Sequence, residues 1–528
     1  MNFTFLELDT HSDFGWWTLA IARADLIRKV EGGWSRMLRD LLRMSLGGPS
    51  GMQTAGVPLI IEDKLAVVFA KLAYVLSDGD GLRQALQWNG ANGVKPCFKH
   101  WNVVKKGHPM AEQGSYVDIC CSSPAKFQGF TEARFGKHSD SGKIDCSILR
   151  FLFLSGTPKK GSSKARCNAE SEIDLSRVGA RCLPQAQLRG VVDKCVDAHR
   201  AWAAGEMTKT KKTDTQKCQG FQATPTGLLA DADLRQRVRF LDVFRYDWAH
   251  TFLADSFVQA EMWALIEASE HRGLFKQADL CAFFQEDWVF PKCSGNTPKD
   301  SKPKYLWKMF CDTQAEKNTQ HRGLRAGMSD QLALYTLLRH FVEARIRHPD
   351  AISAEVKQFS LVCTALDLVL AAKRGRIGVR EAGLQLKRIL EKYLAAVVDL
   401  RGKQSVTPKY HWAFDVADQL ITDGYIVDAF TLERLHLRVK AVANCCKNLG
   451  AYEQQVMRGV VNAHVNAMVD APRWSSTCHM TGPRTEVPWL PGVEIADHIM
   501  FRSTSFHVTQ FVHRGRGWCV CVCACVCV

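Results

Sequence analysis

The sequence predicts an α+β protein, because a short α/β segment at the start precedes a long helical half. Residues 3–8 and 16–23 have the composition of two short strands separated by a turn, and 32–46 carries apolar residues at helical spacing after a glycine pair. The apolar stretch 63–78 predicts a further strand that ends at Asp78. Strand, strand, helix and strand in this order indicate a sheet covered by at least one helix.

Helical periodicity dominates the chain from residue 228 onward. The predicted helical segments are 228–270, 328–347, 354–373, 378–400 and 427–468. We therefore divide the chain into a first part of the α/β core at 1–90, a knuckle and loop-rich insertion at 91–226, a helical insertion at 227–404, helices that complete the core at 405–470, and a poorly ordered tail at 471–528.

The composition is that of a globular protein, with 528 residues of which 46% are hydrophobic and 23% are charged. A chain of this length has room for more than one hydrophobic core. No apolar run is long enough to span a bilayer, and the first residues lack the pattern of a secretory signal. We expect a nuclear or cytoplasmic protein without a membrane partner.

The net charge of +15 favours polyanionic partners, nucleic acid above all. Some of the basic residues fall in the loop-like stretches 157–166 and 206–217, which are typical of solvated insertions. A generically basic soluble protein therefore remains an equal alternative at this point.

The cysteines divide into a terminal repeat and a scattered set. Of the 20 cysteines, five lie in the final "CVCVCACVCV". This alternation fits either an apolar strand or the translation of a simple TG repeat, and we favour the repeat and assign it no function. The other cysteines, in a chain without a secretion signal, fit reduced thiols with a few metal ligands better than a disulfide framework.

One pair of residues has the spacing of a zinc knuckle. Cys97-x-x-His100 is followed by Cys120 and Cys121, and two such ligand pairs are a plausible zinc site. Because only the first pair is neat, a buried free cysteine remains the alternative for Cys97. Zinc is the possible cofactor here.

Two acidic positions suit a catalytic site. Asp78 ends a predicted strand, where α/β folds place ligands, although "SDGDG" is also typical of a turn. In "YDWAH", Asp247 and His250 are spaced i,i+3 on one helical face, so they can pair, share a metal or position one another. A local ion pair is the plain alternative.

A late helix carries the third candidate acid. Glu433, His436 and Lys440 recur at three- and four-residue spacing within 427–468. A carboxylate flanked by basic side chains suits Mg²⁺ and phosphate, because Mg²⁺ takes oxygen ligands and shares its shell with substrate phosphates. A solvated amphipathic face with i,i+4 pairs is equally consistent with this spacing.

Taken in chain order, five stretches resemble a DDE-type DNA transposase with a ribonuclease-H-like core, especially the CACTA and Kyakuja–Dileera–Zisupton groups of eukaryotes. They are "FTFLEL", "GGWSRMLRDLL", "VLSDGDGLRQALQWNGANGVKPCFKHWNVV", "YDWAH" and "PKYHWAFDVADQL…FTLERLHLRVK", and the resemblance runs from about residue 3 to 468. It implies an incomplete ribonuclease-H-like α/β core, a zinc-knuckle-like and largely helical insertion, and a helical C-terminal half.

The resemblance also implies a chemistry, in which three carboxylates hold two Mg²⁺ or Mn²⁺ ions and cut and join DNA strands. Asp78 matches the second carboxylate and Glu433 the last, while Asp247 and His250 match an Asp-x-x-His element of the family. At the family's knuckle, usually written with paired cysteines, this chain has Cys97 and a histidine.

The family's first carboxylate lies on a strand that precedes a segment like "FTFLEL", and this sequence starts at Met1 on that segment. Asp9 and Asp13 come after it and do not match. We therefore expect a transposase-derived protein that is inactive as given, with DNA as partner and a possible homo-oligomer. A non-catalytic, basic nucleic-acid-binding protein and a helical scaffold are the alternatives.

Overall fold

The structure is a computed structural model. It describes residues 2–5, 16–47, 51–61, 64–93, 95–100, 182–183, 185–284, 324, 326–346, 349–401, 405–447, 450–469, 478–486, 493–501, 504–507, 512–514, 517–519 and 522–527.

Most of the described elements are helices, and the strands lie mainly near the start and the end of the chain. The helices are α1 Ala24–Ile27, α2 Gly33–Leu46, α3 Gly79–Leu86, α4 Gln185–Ala203, α5 Lys209–Gln219, α6 Ala232–Arg237, α7 Phe240–Val243, α8 Trp248–Phe252, α9 Phe257–His271, α10 Gln277–Phe284, α11 Met328–Arg345, α12 Ser353–Lys373, α13 Val379–Arg401, α14 Pro408–Asp423, α15 Phe430–Cys445 and α16 Tyr452–Val469. The strands are β1 Asn2–Phe5, β2 Trp16–Thr18, β3 Val57–Ile61, β4 Lys64–Val68, β5 Ala70–Ser77, β6 Phe244–Tyr246, β7 Cys478–Glu486, β8 Val493–Phe501, β9 Thr504–His507, β10 Val512–Arg514, β11 Gly517–Cys519 and β12 Val522–Cys527. The chain is thus a helix-rich α+β protein.

The chain folds into two compact units, each assembled from separated segments. Unit 1 comprises residues 1–76, 226–244 and 430–528, and unit 2 comprises 77–225 and 245–429. The predicted parts, by contrast, follow one another along the chain. The late helices α15 and α16 join the first residues in unit 1, whereas α14, predicted to accompany them, belongs to unit 2.

Unit 1 contains most of a mixed sheet, with the strand order β2-β1-β12-β5. Strand β1 pairs antiparallel with β2 on one side and with β12 on the other. Strand β12 then pairs parallel with β5, so the last described strand of the chain lies between two of the first. A second sheet has the order β11-β10-β8-β7, with β9 added to β8, and β3 and β4 form a hairpin.

Helix α2 shows how the amphipathic pattern builds the core of unit 1. Leu38, Leu42 and Leu46 recur at four-residue spacing and are buried. The hydroxyl of Ser35, on the same face, accepts a hydrogen bond from the backbone N–H of Leu228 at 2.9 Å. The polar side chain is therefore satisfied inside the core.

Unit 2 is largely a bundle in which α12 packs on α13 and α13 packs on α14. Gly383 of α13 permits the second contact, because a Cβ there would lie 2.8 Å from Ile421 Cγ1 of α14. Buried Glu261 of α9 accepts a hydrogen bond from the Tyr393 hydroxyl at 2.5 Å and pairs with Arg401. This network ties α9 to α13.

The helices predicted at 328–347, 354–373 and 378–400 are confirmed as α11, α12 and α13. The single strand predicted at 63–78 is wrong: β4 and β5 are separate, and Phe69 between them is 52% exposed. Strand β4 pairs with β3 instead of continuing into the large sheet. Which strands pair depends on tertiary packing, and apolar composition does not predict it.

One further expectation differs from the structure. The segment 228–270, predicted to be helical, holds α6, α7, strand β6, α8 and α9. In the tail 471–528 the described residues belong to strands β7 to β12, and the poor order expected of this tail stays a prediction. None of the described helices combines the length and the apolar character that crossing a bilayer requires.

Candidate metal centre and adjacent pocket

Four side chains converge inside unit 2 to form a group that can hold a metal ion. Cys97, His100, His411 and Asp415 are all buried, and one ligand atom from each lies within 4.8 Å of the others. The first two come from the segment that follows α3, and the last two are spaced i,i+4 on α14. We call this group the metal centre.

Five distances between atoms of these side chains, which include both oxygens of Asp415, are close to the edges of a tetrahedron around one ion. His100 Nδ1 lies 3.3 Å from Cys97 Sγ and 3.1 Å from His411 Nε2. The Asp415 carboxylate lies 3.5 Å from Cys97 Sγ and 3.6 Å from each imidazole nitrogen. Tetrahedral bonds of about 2.0 Å to nitrogen or oxygen and about 2.3 Å to sulfur give ligand separations of about 3.3–3.5 Å.

The electrostatics of the metal centre favour a divalent cation. Burial lowers the pKa of His100 and of His411 to about 3, so both imidazoles are neutral and suited to metal ligation. Burial also raises the pKa of the Cys97 thiol well above its ordinary value and raises the pKa of the Asp415 carboxyl. A divalent ion would displace the thiol proton and balance the charges of one thiolate and one carboxylate.

The local sequence of α14 explains where the helix begins and ends and which contacts hold its two ligands in position. Pro408 opens the helix and Gly424, at φ 74°, ends it. Trp412 stacks on Tyr246, with ring centroids 5.0 Å apart, and its Nε1 donates to the Pro96 carbonyl at 2.8 Å. These contacts hold the segment that carries Cys97 against the helix that carries His411.

A second set of hydrogen bonds flanks the metal centre. The Gln419 amide oxygen accepts from Lys99 Nζ at 3.0 Å and from the Tyr246 N–H at 2.9 Å. Its Nε2 donates to the Tyr246 carbonyl at 3.0 Å. Burial lowers the pKa of Lys99, which is enclosed beside His100. Helix α14 is thus also bonded one turn after its second ligand, Asp415.

Of the predicted zinc ligands, the structure brings Cys97 and His100 together. Cys120 and Cys121 lie outside the described residues, so their role stays a prediction. Within the described part of the chain, His411 and Asp415 supply the other two ligands. Their i,i+4 spacing was the available signal, but such pairs are common on helices without metals.

The predicted catalytic residues of unit 2 line one pocket of about 450 Å³. Asp78, Asp247 and His250 contribute to its wall, together with Lys409 and Trp412 of α14. Burial lowers the pKa of the Lys409 ammonium, which donates to the Ala254 carbonyl. We call this cavity the α14 pocket, because the helix that bears two metal ligands also lines it.

Asp247 is a positioning group whose oxygens are already engaged. It caps α8 by accepting the His250 N–H at 2.9 Å, and its other oxygen accepts the Ala429 N–H at 3.1 Å. His250 Nδ1 lies 2.5 Å from the same carboxylate, so the pair predicted from "YDWAH" forms as an Asp–His contact. These three contacts leave about one of the four lone-pair sites of the carboxylate for a metal ion.

Asp78 follows β5 and caps α3, and its carboxylate accepts the Gly81 N–H at 2.6 Å. Asp78 therefore occupies a turn-like cap and also lines a pocket, and its catalytic role stays a prediction. Glu433 is an exposed residue of α15 in unit 1, whereas Asp78 belongs to unit 2. Among the described residues, the metal centre is the group whose ligand atoms already cluster.

A scan of the chain against protein-family models finds no match, and a search of the curated proteins finds none either.

Proposed function

We propose that the chain is a transposase-derived DNA-binding protein whose unit 2 is braced by one structural zinc ion. One observation carries the proposal: Asp78 and the Asp247–His250 pair, remote in sequence, line the same pocket. A carboxylate at a strand end, a histidine and Lys409 are the groups that a divalent ion and a DNA phosphate would contact.

The types of ligand support zinc as the metal. A thiolate and two imidazoles favour zinc over magnesium or manganese, which prefer oxygen ligands. The four ligand positions come from the protein, and all four side chains are buried. Such closed sites are structural, because a catalytic zinc keeps one position for water or substrate.

Strand cleavage, by contrast, is not expected of the chain as given. The position beside β1 and β5 in the sheet is taken by β12, whose sequence "VCACVC" has no carboxylate. The oxygens of Asp247 are engaged by three N–H groups or ring nitrogens. A two-metal mechanism needs several carboxylates free to bridge the ions, so we propose DNA binding without strand transfer.

The test is binding of a labelled DNA duplex, measured by fluorescence anisotropy with and without Mg²⁺ across a range of salt concentrations. Binding should weaken steeply with salt, as phosphate contacts demand. Asp78→Asn keeps the helix cap, because Asn and Asp cap equally well, but removes the charge that would hold Mg²⁺. It should abolish the Mg²⁺-dependent gain in affinity.

The matched control is Asp193→Asn, which removes the same charge from an exposed position on α4 outside the α14 pocket. Equal affinities for the two variants and the unaltered protein would contradict a role of the pocket in binding DNA. Nicking of supercoiled plasmid in Mn²⁺ would contradict the proposed inactivity. Metal analysis of the purified protein should find about one zinc per chain.

A further inference from the structure

We infer that the metal centre shapes the α14 pocket, so that the pocket keeps its binding geometry only while the metal is bound. The inference rests on the proposed function in one respect, namely that the pocket is a ligand site. The mechanical link is helix α14, and Trp412 is its positioning residue.

The two sites share one helical segment. His411 and Asp415 are ligands of the metal centre, while Lys409 and Trp412, on the same two turns, line the pocket. No residue of the metal centre is among those that line the pocket. The metal can therefore influence the pocket through the position of α14, and also through Tyr246, which lines the pocket and whose hydroxyl lies 3.8 Å from Cys97 Sγ.

Trp412 connects the metal centre with the acidic edge of the pocket. Its Nε1 donates to the Pro96 carbonyl, next to the ligand Cys97, at 2.8 Å. At the other end of the ring, a Cβ on Gly79 would lie 2.9 Å from Trp412 Cζ3. Gly79 directly follows Asp78, so the ring rests against the turn that holds the pocket's carboxylate.

Loss of the metal would disturb this arrangement. Without a cation, no ion links the four buried ligand atoms, and their arrangement depends on the direct contacts of 3.1–3.6 Å between them. We expect the first turns of α14 to shift and to carry Lys409 and Trp412 with them.

The reporter is His250, which lines the pocket and whose side chain is 20% exposed. Its rate of modification by diethyl pyrocarbonate, mapped by mass spectrometry, is compared in zinc-loaded, chelator-stripped and zinc-reloaded protein. Stripping should raise the rate about tenfold, within the usual range of coupling between two sites. Reloading with Zn²⁺ should restore the original rate.

Two cysteine variants distinguish the effect of losing the metal from general destabilisation of the fold. Cys97→Ser should behave like stripped protein and should not respond to Zn²⁺. Cys195→Ser removes an equally buried thiol of α4 that is not a ligand, and it should match the unaltered protein. Trp412→Phe should keep its zinc, since it removes no ligand, and should still raise the modification rate of His250.

Equal rates in loaded and stripped protein would overturn the inference. So would a rise that is accompanied by alkylation of Cys363, a buried residue of α12, because that result means general unfolding. The readout uses no DNA. Failure of DNA binding therefore leaves the coupling intact, and failure of the coupling leaves DNA binding to its own test.

Discussion

His100 Nδ1 and His411 Nε2 lie 3.1 Å apart although their residues are 311 positions apart in the chain. The two rings meet edge to face, with centroids 4.8 Å apart. Burial lowers the pKa of both imidazoles to about 3, so both rings are neutral and their nitrogens can bind one metal ion together with Cys97 and Asp415.

Removal of the metal should lower the stability of unit 2. At free zinc about 1,000-fold above its dissociation constant, binding contributes about 4 kcal/mol to the free energy of unfolding. Chelation should therefore lower the midpoint of thermal unfolding, followed by circular dichroism. His411→Ala should abolish the response to chelator, whereas His271→Ala, at an exposed site, should retain it.

Gly79→Ala should destabilise unit 2 by about 1–3 kcal/mol, because its Cβ would lie 2.9 Å from the buried Trp412 ring. Gly190→Ala is the matched change, since no atom lies within 4 Å of a Cβ there on helix α4. It should stabilise by about 0.5–1 kcal/mol through helix propensity. Urea unfolding measures both, and equal effects would refute the close approach of Gly79 to Trp412.

Asp247→Ala should cost about 3 kcal/mol, because it removes a helix cap and leaves the buried Ala429 N–H without its acceptor. Thr208→Ala removes only a cap, from exposed helix α5, and should cost about 1 kcal/mol. Chemical denaturation compares the two variants. A similar cost for both would show that the buried contacts of Asp247 add little.

Glu261→Gln should change how stability depends on pH. Burial raises the pKa of Glu261, so the folded protein holds a proton that the unfolded chain releases near pH 4.5. The free energy of unfolding then falls as pH rises from 4.5 through the raised value, and the variant should lack this fall. Exposed Glu343→Gln is the control, and denaturation between pH 4.5 and 7 provides the measurement.

Cys363 should resist alkylation while the protein is folded. Burial raises the pKa of its thiol to about 12, so almost no reactive thiolate exists at pH 8. Cys445 is exposed and should react readily. Labelling by iodoacetamide, mapped by mass spectrometry, distinguishes them. Comparable labelling of the two thiols in folded protein would contradict the burial of Cys363.

The sequence was informative where a signal is local. Cys97-x-x-His100 and the Asp247–His250 pair were recognisable because their members are near neighbours, and both form contacts. The ligands His411 and Asp415 were not assigned, because nothing in a helical i,i+4 pair indicates which distant segment it meets. Convergence of this kind is decided by tertiary packing.

In the fold, too, the features that depend on neighbouring residues are predictable from the sequence, whereas those that depend on tertiary packing are not. Helices α11, α12 and α13 follow from their periodicity, which depends on residues a few positions apart. The break between β4 and β5 and the insertion of β12 between β1 and β5 depend on which strands pair. Strand pairing joins segments remote in sequence, so apolar composition alone cannot specify it.

The origin of the metal ligands at two remote places has a consequence for biosynthesis. On a ribosome that adds about 5–20 residues per second, the 311 positions from His100 to His411 take about 15–60 seconds to make. During that interval Cys97 has emerged from the ribosome without its later partners. Until α14 emerges, the Cys97 thiol lacks its two later ligand partners, and irreversible oxidation in that window would remove a ligand of the metal centre.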